Sequence, residues 1–302
     1  MMLTCRYLHR CLRSSTQIQL YLSECKLSAE TLDAASACWP CARAIRVRGT
    51  QFPIADTNVA LRIARFWYLQ LVGVGPEFMR TLFLNLASTG IKPEFRSVAI
   101  AGTLISLPAY DFSACINLTT IQLGGIIFTP EDVRILCTCT HLDRLVLFSC
   151  GNVDTLLLRE QAIAKRLRAL SITNPRKFSL FETNFTRFVH LRTVYVDNVS
   201  LFEHQWISLG TLPSLEALTT LNAEKPYWFA CEALSKSKSL RFVTIDAGVG
   251  YQKIRPEDGP LLFACTTMQR LQIAGFLNDW GWWTFTRPSG YKGPFKTVNI
   301  YT

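Results

Sequence analysis

Residues 141–150 read HLDRLVLFSC, which places leucines at positions 142, 145 and 147 in the spacing L-x-x-L-x-L. In a β-strand successive side chains point to opposite faces, so Leu145 and Leu147 would share one face and Val146 would lie on the other. A single triplet of this kind indicates no more than one half-buried strand. The fold therefore depends on whether the spacing recurs.

The same apolar triplet recurs along most of the chain at a nearly constant interval. Its first residues, here called anchors, lie at positions 42, 66, 95, 118, 142, 167, 191, 215, 240, 268 and 295, which are 23 to 29 residues apart. The triplet that begins at Leu215 is irregular, because its third position is Thr220. The regular triplets are Ala42-Ile45-Val47, Phe66-Leu69-Leu71, Phe95-Val98-Ile100, Leu118-Ile121-Leu123, Leu142-Leu145-Leu147, Leu167-Leu170-Ile172, Leu191-Val194-Val196, Leu240-Val243-Ile245, Met268-Leu271-Ile273 and Phe295-Val298-Ile300.

A short strand at this period is typical of leucine-rich repeats, in which the strand is followed by a helix or a looser return segment. A doubly wound α/β domain has longer apolar strands and does not hold so regular a period. The return segments carry helical signals: Thr129 and Pro130 match an N-cap and a first helical position, and WFACEALSKS and ADTNVALRIAR have helical spacing. We predict an α/β leucine-rich-repeat solenoid of about ten to eleven repeats over residues 27–302, whose repeats share one core.

The composition indicates a folded protein without an export signal or a membrane span. Of 302 residues, 49% are hydrophobic and 18% are charged, and no long polar tract occurs. The first twenty residues contain arginines and no continuous apolar segment, and no stretch reaches about 18 uncharged apolar residues. The cysteines number eleven, and an odd count in a long chain favours reduced thiols. We expect an intracellular protein, cytoplasmic or nuclear, without membrane association.

Two cysteine patterns could indicate redox catalysis or metal binding instead of packing. Cys38 and Cys41 form C-x-x-C, the motif of thiol oxidoreductases, but they close a predicted helix instead of opening one. Cys137, Cys139 and His141 form C-x-C-x-H, which lacks the second ligand pair of a zinc site. Cysteines at 115, 139 and 265 each stand three residues before an anchor, where a small apolar thiol suits a turn. We expect packing and no metal, and keep a thiol oxidoreductase acting through Cys38 and Cys41 as the less favoured function.

The sequence carries no other catalytic pattern. It has no G-x-S-x-G, no phosphate-binding loop and no H-E-x-x-H, and its four histidines are scattered. We therefore expect neither enzyme activity nor a cofactor.

The residues between the apolar positions of each triplet would form the open, concave face of the sheet, where a partner could bind. Four arginines against two aspartates on this face are too few cations for a groove that tracks phosphates, so the net charge of +10 does not indicate nucleic acid. Aromatic residues and arginines among small polar residues are typical of protein interfaces. The predicted contact residues are Tyr68, Gln70, Gln122, Arg144, Phe148, Tyr195, Asp197, Phe242, Asp246 and Arg270.

A tryptophan-rich segment, NDWGWWTFTRPSGYKG, interrupts the repeats near the end of the chain. It contains Trp280, Trp282 and Trp283 and lengthens the last interval, between the anchors Met268 and Phe295. It could be a binding loop or a loop that covers the exposed end of the solenoid, since terminal repeats need capping.

The segment LTCRYLHRCLRSSTQIQLYL, residues 3–22, resembles the last helix of an F-box and the residues that follow it in many fungal F-box-like proteins with leucine-rich repeats. Leu3, Tyr7, Leu8, Cys11 and Leu12 recur at spacings of three and four and form one apolar helical stripe. An amphipathic helix that caps the first repeat would have the same stripe. Residues 1–26 are thus predicted to be an F-box remnant or a helical cap.

The resemblance implies a substrate receptor of an SCF-type ubiquitin ligase, in which the F-box binds the adaptor subunit and the repeats select the protein to be ubiquitylated. Leu3, Tyr7 and Leu8 match the part of the F-box that would contact the adaptor. The family's L-P-x-E-like element and its two earlier helices have no match in the sequence. The alternatives are therefore a ligase receptor and a stand-alone scaffold without the ligase link.

Overall fold

The computed structural model describes residues 19–23, 27–49, 54, 56–102, 112–175, 183–222, 227–246, 265–274 and 297–301. The chain divides into two compact units, an N-terminal unit of residues 1–142 and a C-terminal unit of residues 143–302. Each unit is a parallel sheet whose strands are joined by return segments.

The sheet of the N-terminal unit has five described strands in chain order, and each pairs in parallel with the next. Because parallel neighbours need a crossover connection, every strand is separated from the next by a return segment. The strands are β1 (Gln19–Ser23), β2 (Ala44–Arg48), β3 (Tyr68–Val72), β4 (Ser97–Ala101) and β5 (Thr120–Gly124).

The described part of the C-terminal unit has seven strands, which also pair in parallel and in chain order. They are β6 (Arg144–Phe148), β7 (Ala169–Thr173), β8 (Thr193–Asp197), β9 (Ala217–Leu221), β10 (Phe242–Asp246), β11 (Arg270–Ala274) and β12 (Thr297–Tyr301).

The eleven anchors predict strands β2 to β12 in the correct register. Each of these strands begins two residues after its anchor, so the second and third triplet residues fall at its second and fourth positions. Every triplet residue from Ala42 to Leu271 is buried, with at most 7% of its surface exposed. The irregular Thr220 is also fully buried, and its hydroxyl has no hydrogen-bond partner among the described residues. Its β-branched shape fits the apolar position, at the cost of one unsatisfied polar group.

Strand β1 lies inside the segment 1–26 that the sequence assigns to an F-box remnant or helical cap. It pairs with β2 in the same register as later strands, with Leu20 opposite Ile45 and Leu22 opposite Val47. Counting back from Leu20 places an anchor at Gln17, 25 residues before Ala42. Because Gln17 is polar, the apolar triplet could not be recognised in the sequence. The described sheet begins at β1, before the predicted boundary at residue 26. Residues 1–18 lie outside the described residues.

The residue after each anchor joins neighbouring repeats just before their strands begin. The carbonyl of Arg43 accepts hydrogen bonds from the backbone N–H groups of Trp67 and Tyr68 at 2.8 and 3.1 Å, and later repeats in each unit repeat this pair. We call these residues the flanking row. Its described members are Arg43, Trp67, Arg96 and Thr119 in the N-terminal unit, and Asp143, Arg168, Arg192, Glu216, Arg241 and Gln269 in the C-terminal unit.

The return segments of the N-terminal unit are mostly helical. Ser28 caps α1, Asp56 caps α2, and Thr129 forms a capping box with Asp132 at the start of α4, as the sequence predicts for Thr129. The thirteen-residue α3 accounts for the longest anchor interval, between Phe66 and Phe95. The helices are α1 (Ala29–Cys38), α2 (Thr57–Ile63), α3 (Pro76–Ser88) and α4 (Pro130–Cys137), and a 3₁₀ turn covers Phe112–Ala114.

The return segments of the C-terminal unit are shorter and more varied. They contain α5 (Gln161–Ala164), α6 (Glu203–Gly210) and α7 (Tyr227–Ser235), a 3₁₀ turn at Phe185–Arg187 and a π-helical turn at Val153–Leu157. Helix α6 packs against α7 and against the 3₁₀ turn. In the described parts of the chain, no helix is both long and apolar enough to cross a membrane.

Most strands are followed directly by a residue with left-handed backbone conformation. Its N–H continues the ladder to the next strand, as when Asn174 donates to the Asp197 carbonyl at 3.0 Å. The following residue then turns into the core, as Val74 and Val199 do. Asparagine and glycine tolerate this conformation better than other residues. The residues with φ between +45° and +78° at this position are Gly49, Gly73, Gly125, Ser149, Asn174, Asn198 and Asn222.

Candidate functional site

The open face of the C-terminal unit, meaning the outward side chains of β6 to β11, carries exposed aromatic rings. Phe148 is 52% exposed and Phe242 is 45% exposed, whereas the inward neighbours Leu147 and Val243 are buried. Large apolar side chains are normally withdrawn from water, and an exposed ring on a rigid strand is available to a partner. Arg144 and Arg270 are exposed on the same face, at the first positions of β6 and β11.

A small polar network fixes the centre of this face. Burial raises the pKa of the Tyr195 phenol, and the charge of Asp197 and the hydrogen bond between the two side chains raise that pKa further. The Asp197 carboxylate also accepts a hydrogen bond from the Asn222 side chain at 2.8 Å. Asn198 donates to the Asn174 side chain at 2.9 Å one residue further along. Tyr195 and Asp197 are therefore held in place before any partner binds.

The open face of the N-terminal unit has a different composition. Tyr68, Gln70 and Gln122 are half-buried on its strands, and Gln70 accepts a weak hydrogen bond from Gln19 at 3.4 Å. Burial raises the pKa of Tyr68, and the positive charge of Arg46 partly opposes this rise. Three of the ten predicted contact residues thus lie in the N-terminal unit and seven in the C-terminal unit.

Comparison with solved structures identifies the architecture. The chain aligns over 93% of its length with 40% of the TLR13 chain in the crystal structure of the TLR13–ssRNA13 complex, with a TM-score of 0.51 and 14% sequence identity. The chain has an α/β leucine-rich-repeat fold. At this identity the similarity establishes the fold alone.

Two further solved structures are similar at lower scores. The plant peptide hormone receptor RGFR1 in complex with RGF2 matches with a TM-score of 0.40 and 14% identity, over 86% of this chain and 42% of the receptor. The Leptospira interrogans LRR protein LIC12759 matches with a TM-score of 0.34 and 12% identity, over 84% and 83%. The chain thus spans less than half the length of TLR13 and RGFR1. No protein-family model and no curated protein sequence matches it.

Residues of the flanking row add to the repeat surface and were not among the predicted contacts. The Arg43 guanidinium lies 5.1 Å and the Arg96 guanidinium 4.2 Å from the centre of the Trp67 ring. Tyr21 of β1, which is 50% exposed, is a further omission. The signal was present in the sequence, because Arg43, Trp67 and Arg96 each follow an anchor directly. The predicted contact residues all lie inside the strands, whereas the flanking row lies just before them.

The cysteines of the repeats occupy structural positions. Cys115, Cys139 and Cys265 are buried, and their carbonyls accept hydrogen bonds from the N–H groups of the anchors three residues later, at 2.9 to 3.4 Å. The prediction that they pack at the turn before a strand is confirmed. Cys38 ends α1 and is exposed, and Cys41 lies in the turn before β2 and is half-buried. Within the described ranges, no group of three or more His, Cys, Asp or Glu side chains is placed to hold a metal.

Other predicted functional residues fall outside the described residues. These are Leu3, Tyr7 and Leu8, which were predicted to contact an adaptor, and Trp280, Trp282 and Trp283 of the tryptophan-rich segment.

Proposed function

We propose that this chain is a non-enzymatic protein-interaction module whose open sheet face binds a protein partner. The observation that carries the proposal is the exposure of Phe148 and Phe242 on the open face of the C-terminal unit, with Tyr195 and Asp197 held between them. Aromatic anchors that are rigid before binding lose little conformational entropy on association, and such residues dominate the energetics of protein interfaces. Asp197 and Asp246 on the same face disfavour a polyanion as its ligand.

The finer proposal is that the module is the substrate-recognition subunit of an SCF-type ubiquitin ligase. It is supported by the resemblance of residues 3–22 to the end of an F-box. In this proposal Leu3, Tyr7 and Leu8 contact the adaptor. The alternative is a stand-alone repeat scaffold without a ligase link. Affinity purification of the tagged full chain separates the two: a ligase receptor recovers the adaptor and cullin together with its targets, whereas a scaffold recovers targets alone.

Replacing Phe148 and Phe242 together by glutamate is expected to abolish partner recovery. Two charges in place of two aromatic contacts should weaken binding by at least about a hundredfold, because each aromatic anchor contributes more than about 1.4 kcal/mol and each 1.4 kcal/mol is a factor of about ten. The measurement is quantitative mass spectrometry of proteins recovered by the wild-type and variant chains.

Ile207→Glu is the matched control, since Ile207 is 50% exposed but lies on helix α6. This variant should recover the same proteins as wild type. Equal recovery by the Phe148→Glu/Phe242→Glu variant, provided that its circular dichroism is unchanged, would place the binding surface elsewhere.

A further inference from the structure

The N-terminal unit carries a stack of cationic and aromatic side chains where its strands begin. The backbone N–H of Trp67 donates to the Arg43 carbonyl at 2.8 Å, and that of Arg96 donates to the Trp67 carbonyl at 2.7 Å, so the three residues belong to successive repeats. The indole therefore lies between two guanidinium groups, 5.1 and 4.2 Å from the ring centre. Its N–H donates to the Glu94 carboxylate at 3.2 Å, which fixes the orientation of the ring. This arrangement restrains both arginines through cation–π contact without neutralising them.

A second pair of arginines, Arg46 and Arg48, lies on β2. The Arg46 guanidinium is 5.4 Å from the centre of the Tyr21 ring, and Arg48 donates to the Tyr21 hydroxyl at 3.5 Å. The Nε of Arg46 is shielded from solvent and has no acceptor among the described residues. Packing, and not an ion pair, thus holds Arg46 in position.

Among the described residues, the positive charge of this region has few acidic neighbours. The guanidiniums of Arg43, Arg46 and Arg96 share one nearby described carboxylate, that of Glu94, and no described outward residue of β1 to β5 is acidic. In the described part of the chain, Arg43, Arg46 and Arg96 form no ion pair.

The C-terminal unit provides the contrast, because its flanking row contains acidic as well as basic residues. Asp143 and Glu216 stand among Arg168, Arg192 and Arg241, and Arg192 pairs with Glu216 at 3.8 Å. The flanking row of the C-terminal unit thus contains an ion pair, whereas Arg43 and Arg96 at the same repeat position contact an indole ring and form no ion pair with a described residue.

We propose that the strand-start edge and open face of the N-terminal unit bind an acidic protein segment, with carboxylates seated on Arg43, Arg96 and Arg46. This deepens the proposed function, on which it rests, by naming the chemistry of one part of the partner. A guanidinium presents paired N–H groups that match a carboxylate, and an arginine already held against an aromatic ring loses less rotamer freedom on binding. Charge complementarity also accelerates the encounter.

The spacing of the arginines specifies the segment further. Arg43 and Arg46 are three residues apart, which is roughly 10 Å along an extended strand at about 3.3 Å per residue. A segment in the polyproline II conformation has three residues per turn and rises about 3.1 Å per residue, so acidic residues three positions apart lie on one face about 9 Å from each other. The ligand is therefore a polyproline II-like segment with acids at every third position.

Single-stranded RNA fits the same surface less well. Binding of bases without sequence preference uses aromatic rings as stacking platforms together with a run of phosphate contacts. Trp67 already lies between two guanidiniums, and four arginines provide only a short run of cations. An RNA ligand is nevertheless a defined outcome of the test below.

Fluorescence anisotropy with the full chain tests the proposal. The probes are a labelled peptide of Glu-Gly-Ser repeats, the same peptide with glutamine for glutamate, and a short labelled oligouridylate. The glutamate peptide should bind, more weakly at higher salt, and the glutamine peptide should not. Arg43→Gln with Arg96→Gln should weaken binding of the glutamate peptide by about tenfold, since two carboxylate contacts are lost.

The matched control is Arg168→Gln with Arg241→Gln, which changes the net charge equally at the same repeat position and should alter the affinity less than about twofold. Equal loss in both double variants, equal binding of the glutamine peptide, or no binding of the glutamate peptide would overturn the proposal. Tighter binding of oligouridylate that is lost in Arg43→Gln/Arg96→Gln would assign the surface to RNA instead. These failures are distinct from failure of the proposed function, which depends on Phe148 and Phe242 in the other unit.

Discussion

Replacing Leu145 by alanine is expected to lower the free energy of unfolding by about 2 to 5 kcal/mol, the range for a leucine truncated in a packed core. Leu145 is the second residue of the triplet in HLDRLVLFSC and has no exposed surface. Its neighbour across the sheet is Leu170, so the cavity would open between two repeats. The measurement is urea denaturation followed by circular dichroism.

Val146→Ala is the control for the register of the repeat. Val146 follows Leu145 directly but points to the open face and is half-buried, so its truncation should cost no more than about 1 kcal/mol. If Val146→Ala destabilised the protein as much as Leu145→Ala, the two faces of the strand would have been assigned wrongly.

Gly125→Ala is expected to cost about 3 kcal/mol, since it combines two unfavourable effects. Gly125 has φ +78°, where a side chain is strained. A Cβ atom there would also lie only 2.0 Å from the carbonyl oxygen of Gly102, so one backbone segment would have to move. Thermal and urea denaturation of the variant would measure the loss.

Gly73→Ala separates the two effects. Gly73 has the same left-handed conformation, with φ +59°, but a Cβ atom there would meet nothing within 4 Å. Only the conformational strain remains, so we expect a loss of about 1 to 2 kcal/mol. Equal losses at both positions would show that the close approach of the Gly102 and Gly125 backbones is not a constraint on the fold.

The regular part of the fold was predictable because one physical requirement recurs in every repeat. A strand that must bury one face needs apolar side chains at alternate positions, and this pattern located all eleven strands from β2 to β12. Strand β1 was missed where Gln17 replaces the apolar anchor, although Leu20 and Leu22 keep the alternation. Strand β9 was predicted although the third residue of its triplet, Thr220, is polar, and Thr220 is fully buried like the apolar residues at that position.

The candidate binding residues were predictable only in part. Alternation placed Phe148, Tyr195 and Phe242 on the open face, as the structure has them. It did not reveal that Asn222, which follows β9 with φ +49°, reaches back to Asp197. Contacts of this kind depend on the backbone path between strands, which the spacing of apolar residues does not encode.

The cationic stack of the N-terminal unit was missed for a related reason. Arg43, Trp67 and Arg96 share one repeat position, but that position precedes the strand and therefore lies outside the alternating pattern. Only the three-dimensional stacking of consecutive repeats brings the two guanidiniums against the indole. Reading each repeat position as a column, including those outside the strands, would have revealed the row.

Hydroxyl-radical footprinting of four phenylalanines in the C-terminal unit, with and without a bound partner, tests the central claim most directly. Phe148 and Phe242 lie on the open face, whereas Phe185 and Phe188 are fully buried, so one residue type with one intrinsic reactivity reports both environments. We predict rapid oxidation of Phe148 and Phe242 in the free protein, their protection in the complex, and no oxidation of Phe185 and Phe188 in either state. Oxidation of Phe185 and Phe188 at a comparable rate, or oxidation of Phe148 and Phe242 that the partner leaves unchanged, would contradict the account.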